Sequence, residues 1–147
     1  MNSQPFVIER VIDVPVKSVW DALTENEQMK KWYFNLPDFK AVPGFEFTFT
    51  GGEAGNTQYK HLCKVTEVIP GKKLAYSWRY DGYPGQSLVS FELFEEGKGT
   101  RLKLTHAGLE SFAMAGPHFA KEKFVQGWTQ ILDNSLKGFL ETAPVRV

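Results

Sequence analysis

Twice in this chain, large flat side chains fall on every second residue. Phe45, Phe47 and Phe49 alternate with Glu46, Thr48 and Thr50, and Leu74, Tyr76, Trp78 and Tyr80 alternate with Lys73, Ala75, Ser77 and Arg79. A period of two puts each set on one face of a strand, so both segments read as half-buried strands with an aromatic inner side. Phe6 to Asp13, rich in Val and Ile, reads as a further strand ahead of Pro15. Tyr59, His61, Cys63 and Val65 share one face of a strand running towards Ile69, Val89, Phe91 and Leu93 alternate with Ser90 and Glu92, and Leu102, Leu104 and His106 alternate with Arg101, Lys103 and Thr105. The joints are turn formers: Gly51, Gly52 and Gly55, then Pro70-Gly71, Asp81-Gly82 with Pro84-Gly85, and Gly97 with Gly99. Short strands joined this way form an antiparallel sheet, and its apolar face requires a cover.

The cover is at the end of the chain. From Pro117, acceptable in a first helical turn, to about Thr142 no second proline intervenes until Pro144. Phe124, Trp128, Ile131, Leu132, Ser135, Leu136 and Phe139 recur at steps of three and four, while Lys121, Lys123, Gln130, Asp133 and Lys137 fill the remaining positions. That is an amphipathic helix. Two shorter helices are expected after the first strand: Val16, Val19, Trp20 and Leu23 fall at helical spacing, Thr24 or Asn26 can cap the second helix, and Met29, Trp32 and Tyr33 supply its apolar side before Pro37 and Pro43. The expected class is α+β: a curved antiparallel sheet around a long C-terminal helix, in one domain over residues 1–147. A straight rod of about 39 Å against a twisted sheet leaves room for a cavity.

Charge and composition narrow the partners. Seventeen Lys and Arg balance seventeen Asp and Glu, so no global field favours nucleic acid or anionic lipid. No apolar run reaches membrane-spanning length and Met1 to Pro5 lacks the regions of a signal peptide. Cys63 is the only cysteine, which excludes an internal disulfide and fits a reducing compartment. The expected setting is cytoplasmic.

Several segments together carry a family resemblance. They are Val19-Trp20 with Ala22-Leu23-Thr24 and Trp32, Gly44-Phe45-Glu46-Phe47, Val65-Thr66-Glu67-Val68 before Pro70, Leu74 to Trp78, Gly99-Thr100-Arg101-Leu102 before His106, and Gly127-Trp128 with Leu132 and Leu136. Their order over nearly the whole chain resembles the START-like superfamily. More narrowly, it resembles the family named after the C-terminal domain of the activator of the heat-shock-protein-ninety ATPase. The resemblance implies a helix-grip fold with a deep apolar cavity. It also implies one of three activities: binding of lipids, polyketides or hormones, occasional cyclase or hydratase chemistry, or stimulation of an ATPase through protein contacts. The first strand begins within a few residues of Met1, so the additional N-terminal domain of the full co-chaperone is not expected.

The expected function is therefore binding of a small, largely apolar molecule, lipid-like or polyketide-like, between sheet and helix. The sheet would contribute Phe45, Phe47, Phe49, His61, Tyr76 and Trp78, and the helices Trp32, Trp128 and Leu132. A protein-interaction module with a chaperone or other protein as partner is the first alternative, and a cyclase or hydrolase using the same cavity is the second. His61 and Cys63 lie two apart on one strand face and could form a metal pair or a Cys-His dyad. His106 and His118 do not supply convergent further ligands, so no metal, cofactor or catalytic residue is expected; His61 reads as a hydrogen-bonded polar group and Cys63 as a small apolar filler. The Gly51 to Gly55 loop joins strands rather than opening a helix and is no phosphate cradle. Glu9 and Glu67 could pair as carboxylates, but alternation does not fix which way they face, and Arg10 lies on a strand apolar on both sides and receives no role.

Overall fold

Six antiparallel strands form a single sheet in the order β1-β6-β5-β4-β3-β2. They are β1 (Phe6–Ile12), β2 (Glu46–Gly51), β3 (Tyr59–Ile69), β4 (Lys73–Tyr80), β5 (Ser87–Glu96) and β6 (Gly99–Ala107). Between β1 and β2 lie α1 (Val16–Thr24) and α2 (Asn26–Trp32). After β6 come a 3-10 segment (Leu109–Ala115) and a C-terminal rod built from α3 (Lys121–Gln130), a π-helical stretch (Ile131–Leu136) and α4 (Lys137–Thr142). The computed structural model describes residues 5–32, 38–51, 59–115 and 121–142. Tyr33, Pro37, Gly52, Gly55, Pro117 and His118, singled out above from their sequence context, lie outside them. No helix among the described residues is long and apolar enough to cross a membrane.

Alternation marks the inner faces correctly. Phe47, Phe49, His61, Cys63, Val65, Leu74, Tyr76, Trp78 and Tyr80 are all buried, as are Val89, Phe91, Leu93, Leu102, Leu104 and His106. Pairing puts Phe47 opposite Cys63, Phe49 opposite His61, Cys63 opposite Trp78 and His61 opposite Tyr80. The aromatic residues of β2, β3 and β4 thus form one continuous wall. A bulge between Val65 and Glu67 shifts the register of β3, returning Val68 to the core side. Ala75, on the outward set of β4, is buried as well.

The outer face carries the charges. Glu9, Lys103, Glu92 and Lys73 stand in direct cross-strand register, so their signs alternate over four strands. Glu9 and Glu67 do not pair with each other: Arg101 Nη1 lies 2.7 Å from Glu9 and Lys73 Nζ lies 3.0 Å from Glu67.

The π stretch has a cause in the sequence. Phe124, Trp128, Leu132, Leu136 and Leu140 are all buried and spaced by four. An α-helix drifts about 40° for each step of four, which would rotate such a stripe off the core. A π turn winds more residues per turn and offsets the drift. The stripe is continuous because the helix is locally under-wound.

Thr24 does not cap α2; its hydroxyl donates back to the Trp20 carbonyl at 2.7 Å, while the Glu25 carbonyl accepts from Gln28 and Met29. Arg10 faces inward in phase with Ile8 and Ile12. Its Nε lies 2.6 Å from Asp133 Oδ1 and its Nη2 lies 3.3 Å from Oδ2. A second tie joins Glu141 to the backbone N–H of Asp13 at 2.8 Å. Both anchor the C-terminal half of the rod beside β1, where α4 also meets α1 and the π stretch meets α2.

Candidate functional site

The wall of β2 to β4 and the sheet-facing side of α3 enclose an interior made of rings. Phe49 stacks on His61 with centroids 4.3 Å apart and planes 13° from parallel, and meets the edge of Trp78 at 5.7 Å. Phe47 meets Tyr76 at 5.1 Å and Phe39 at 5.1 Å, both edge-to-face. Phe45 is half-buried and packs against Phe39 at 6.1 Å. From the helix, Trp128 faces Trp78 at 5.6 Å and Phe91 at 5.9 Å. The structure thus brings Phe45, Phe47, Phe49, His61, Tyr76, Trp78 and Trp128 to one interior. Leu132 is buried a turn further along the rod, in the π stretch. Trp32 is buried, and its indole N–H donates to the Ala22 carbonyl at 2.8 Å, which ties α2 to α1.

Polar groups in this interior are neutral near pH 7. Burial pushes the His61 imidazole down to about 4, against the opposing pull of the Tyr59 and Phe49 carbonyls. His61 Nδ1 lies 2.9 Å from the Tyr59 carbonyl. Burial also raises the Cys63 thiol and the Tyr80 hydroxyl well above their ordinary ranges. Tyr80 Oη accepts from Trp78 Nε1 at 2.9 Å. No three His, Cys, Asp or Glu side chains among the described residues come together as a metal-ligand set.

His106 is the member that spacing did not single out. Trp128 Nε1 donates to its Nδ1 at 3.0 Å, and its Nε2 lies 2.7 Å from Ser87 Oγ. Ser87 Oγ in turn donates to the Trp78 carbonyl at 3.0 Å. Because an indole N–H only donates, Nδ1 is the acceptor and Nε2 carries the proton. Burial pushes this imidazole down to about 3. The inward phase of His106 on β6 was legible from Leu102 and Leu104; its partners, on β5 and the helix, were not. Phe112 and Phe124 were missed as a pair: they stack at 5.6 Å and 15° and close the same interior over Tyr80.

A curved antiparallel sheet, two early helices and a covering C-terminal helix define the helix-grip class of START-like ligand-binding domains. Residues 13–141 match the family model described as Activator of Hsp90 ATPase homolog 1-like protein, and the chain belongs to that family. Among curated proteins none matches. Solved structures of similar shape include protein MLL2253 from Mesorhizobium loti, at 26% identity and a TM-score of 0.77, covering 97% of this chain and 100% of that one. Protein CV1439 from Chromobacterium violaceum has 21% identity and a TM-score of 0.79, covering 95% and 99%. CalU16 from Micromonospora echinospora has 27% identity and a TM-score of 0.67, covering 94% and 76%.

Proposed function

We propose that this domain binds a small, largely apolar molecule, lipid-like or polyketide-like, between the β2 to β4 wall and the C-terminal rod. The observation that carries the reading is the chemistry of that wall: Phe47, Phe49, Tyr76 and Trp78 present ring faces and edges, and His61, Cys63 and Tyr80 among them are held uncharged. Apolar walls with a few oriented polar groups are what small-molecule sites are made of. The same features weigh against catalysis. An imidazole titrating at about 4 is a poor base at neutral pH, and a thiol held protonated is a poor nucleophile. Neither His61 nor Cys63 therefore supplies a group that would carry the cyclase or hydrolase reading.

Extraction of freshly purified protein with organic solvent, followed by mass spectrometry, tests the proposal. One apolar compound recovered in near-stoichiometric amount is the expected result. The family description favours a second reading, contact with a chaperone. A clean extract together with stable capture of a chaperone by the purified domain would transfer the conclusion to that reading.

A further inference from the structure

A histidine buried among aromatic rings requires a reason, because a phenylalanine in its place would pack without the cost of desolvating two ring nitrogens. His106 lies 5.5 Å from the Trp78 ring, 6.1 Å from Trp128 and 5.2 Å from Phe124, all between centroids. What it supplies beyond packing is a hydrogen bond on each side, to the helix through Trp128 and to the sheet through Ser87. The helix itself does little to fix that indole. Gly127 immediately precedes Trp128, and a Cβ placed there would meet nothing within 4 Å, so packing does not demand a glycine and the helix is locally softened. The π stretch begins three residues later, at Ile131.

We propose that His106, held by Ser87, is a positioning residue for the candidate site: by accepting from Trp128 Nε1 it sets the tilt of the ring that faces Trp78, and with it the shape a ligand meets. The chain of donors runs one way, from Trp128 through His106 and Ser87 to the Trp78 carbonyl, so the indole of Trp128 is tied to the backbone of the strand whose Trp78 ring it faces. The part of this inference that concerns ligands rests on the binding function proposed above; the part that concerns the indole does not.

The test uses 15N-labelled protein, with the Trp128 indole resonance assigned through Trp128→Phe, and the neutral apolar probe N-phenyl-1-naphthylamine. With His106→Phe, the Trp128 indole proton should move upfield and exchange with solvent about tenfold faster or more. Kd for the probe should rise about tenfold, the weight of one buried hydrogen bond. In a Trp128→Phe background the same substitution should change Kd less than about twofold, because its route is gone. His106→Gln, which keeps an acceptor and a donor, should recover part of both effects. Ser87→Ala, which removes only the support behind the imidazole, should shift the indole in the same direction and carries both readouts should His106→Phe not fold. An unmoved indole resonance in folded His106→Phe or Ser87→Ala overturns the proposal, as does a Kd increase of equal size with and without Trp128. A parent protein that binds no probe would remove the proposed function, while the indole shift would still decide whether His106 fixes the ring.

Discussion

The two ends of the interior are built from different materials. Around β1, β6 and the C-terminal half of the rod the buried side chains are mainly aliphatic: Ile8, Ile12, Leu102 and Leu104 on the sheet, Leu132, Leu136 and Leu140 on the rod, and Val19 and Leu23 on α1, with Trp32 of α2 the large ring among them. Around β2, β3, β4 and α3 most of them are rings, with Cys63, Val65 and Leu74 between, and with hydrogen-bonded tips at His61, Tyr80, His106 and Trp128. Aliphatic side chains fill space without direction, and three helical segments come close to one another there, tied to β1 by Arg10 and to the turn after it by Asp13. Rings meet at defined angles and their polar tips must be satisfied. The aliphatic end thus holds the fold, and the aromatic end holds a shape.

Acid should expose this difference most strongly. Both described histidines belong to the aromatic end, and both have folded-state values below the ordinary 6.5, at about 4 for His61 and about 3 for His106. The unfolded chain binds these protons first, so their contribution is fully present above pH 6.5 and is lost as pH falls towards 4 and then 3. Denaturant unfolding between pH 7.5 and 4 should show a loss on the order of 5 kcal/mol. A variant with both histidines replaced by glutamine should lose much less over the same range. A parent profile flat down to pH 4 would contradict the buried, neutral assignment.

Leu136→Ala, at the fully buried aliphatic end, should cost about 2 to 5 kcal/mol and leave the affinity of the folded protein for an apolar probe within about twofold. Phe49→Ala removes a buried ring stacked on His61, so it should cost about 3 to 5 kcal/mol and, unlike Leu136→Ala, also remove most of the probe affinity. If the two substitutions had the same ratio of stability loss to binding loss, the division into two ends would fail. The smallest effect belongs to Arg10→Ala. The pair with Asp133 is about one-third exposed on both sides, so equilibrium unfolding should register about 1 kcal/mol or less.

Legibility from the sequence followed the same boundary between local and distant. The inner faces of β2 to β6 could be read because alternation is written in consecutive residues. The stripe at Phe124, Trp128, Leu132 and Leu136 could be read for the same reason, although the steps of three and four concealed the strict step of four that forces the π stretch. What could not be read were pairings across long separations. Arg10 meets Asp133 over 123 positions, and no local pattern on β1 points to it. His106 was visible as an inward residue and invisible as a clasp, because its acceptor and donor roles are defined only once β5 and the helix are in place. The 3-10 segment that carries Phe112 has neither period two nor the helical period, which is why it passed unnoticed.

The central claim is that an apolar molecule sits against the aromatic end. Titrating 15N-labelled protein with N-phenyl-1-naphthylamine and following the indole resonances of its four tryptophans addresses that claim directly. Trp78 and Trp128 should shift together along one saturable curve, while Trp20, on α1 at the aliphatic end, stays in place. Saturable binding that moves Trp20 and leaves Trp78 and Trp128 fixed, or no saturable shift at any of them, would contradict it.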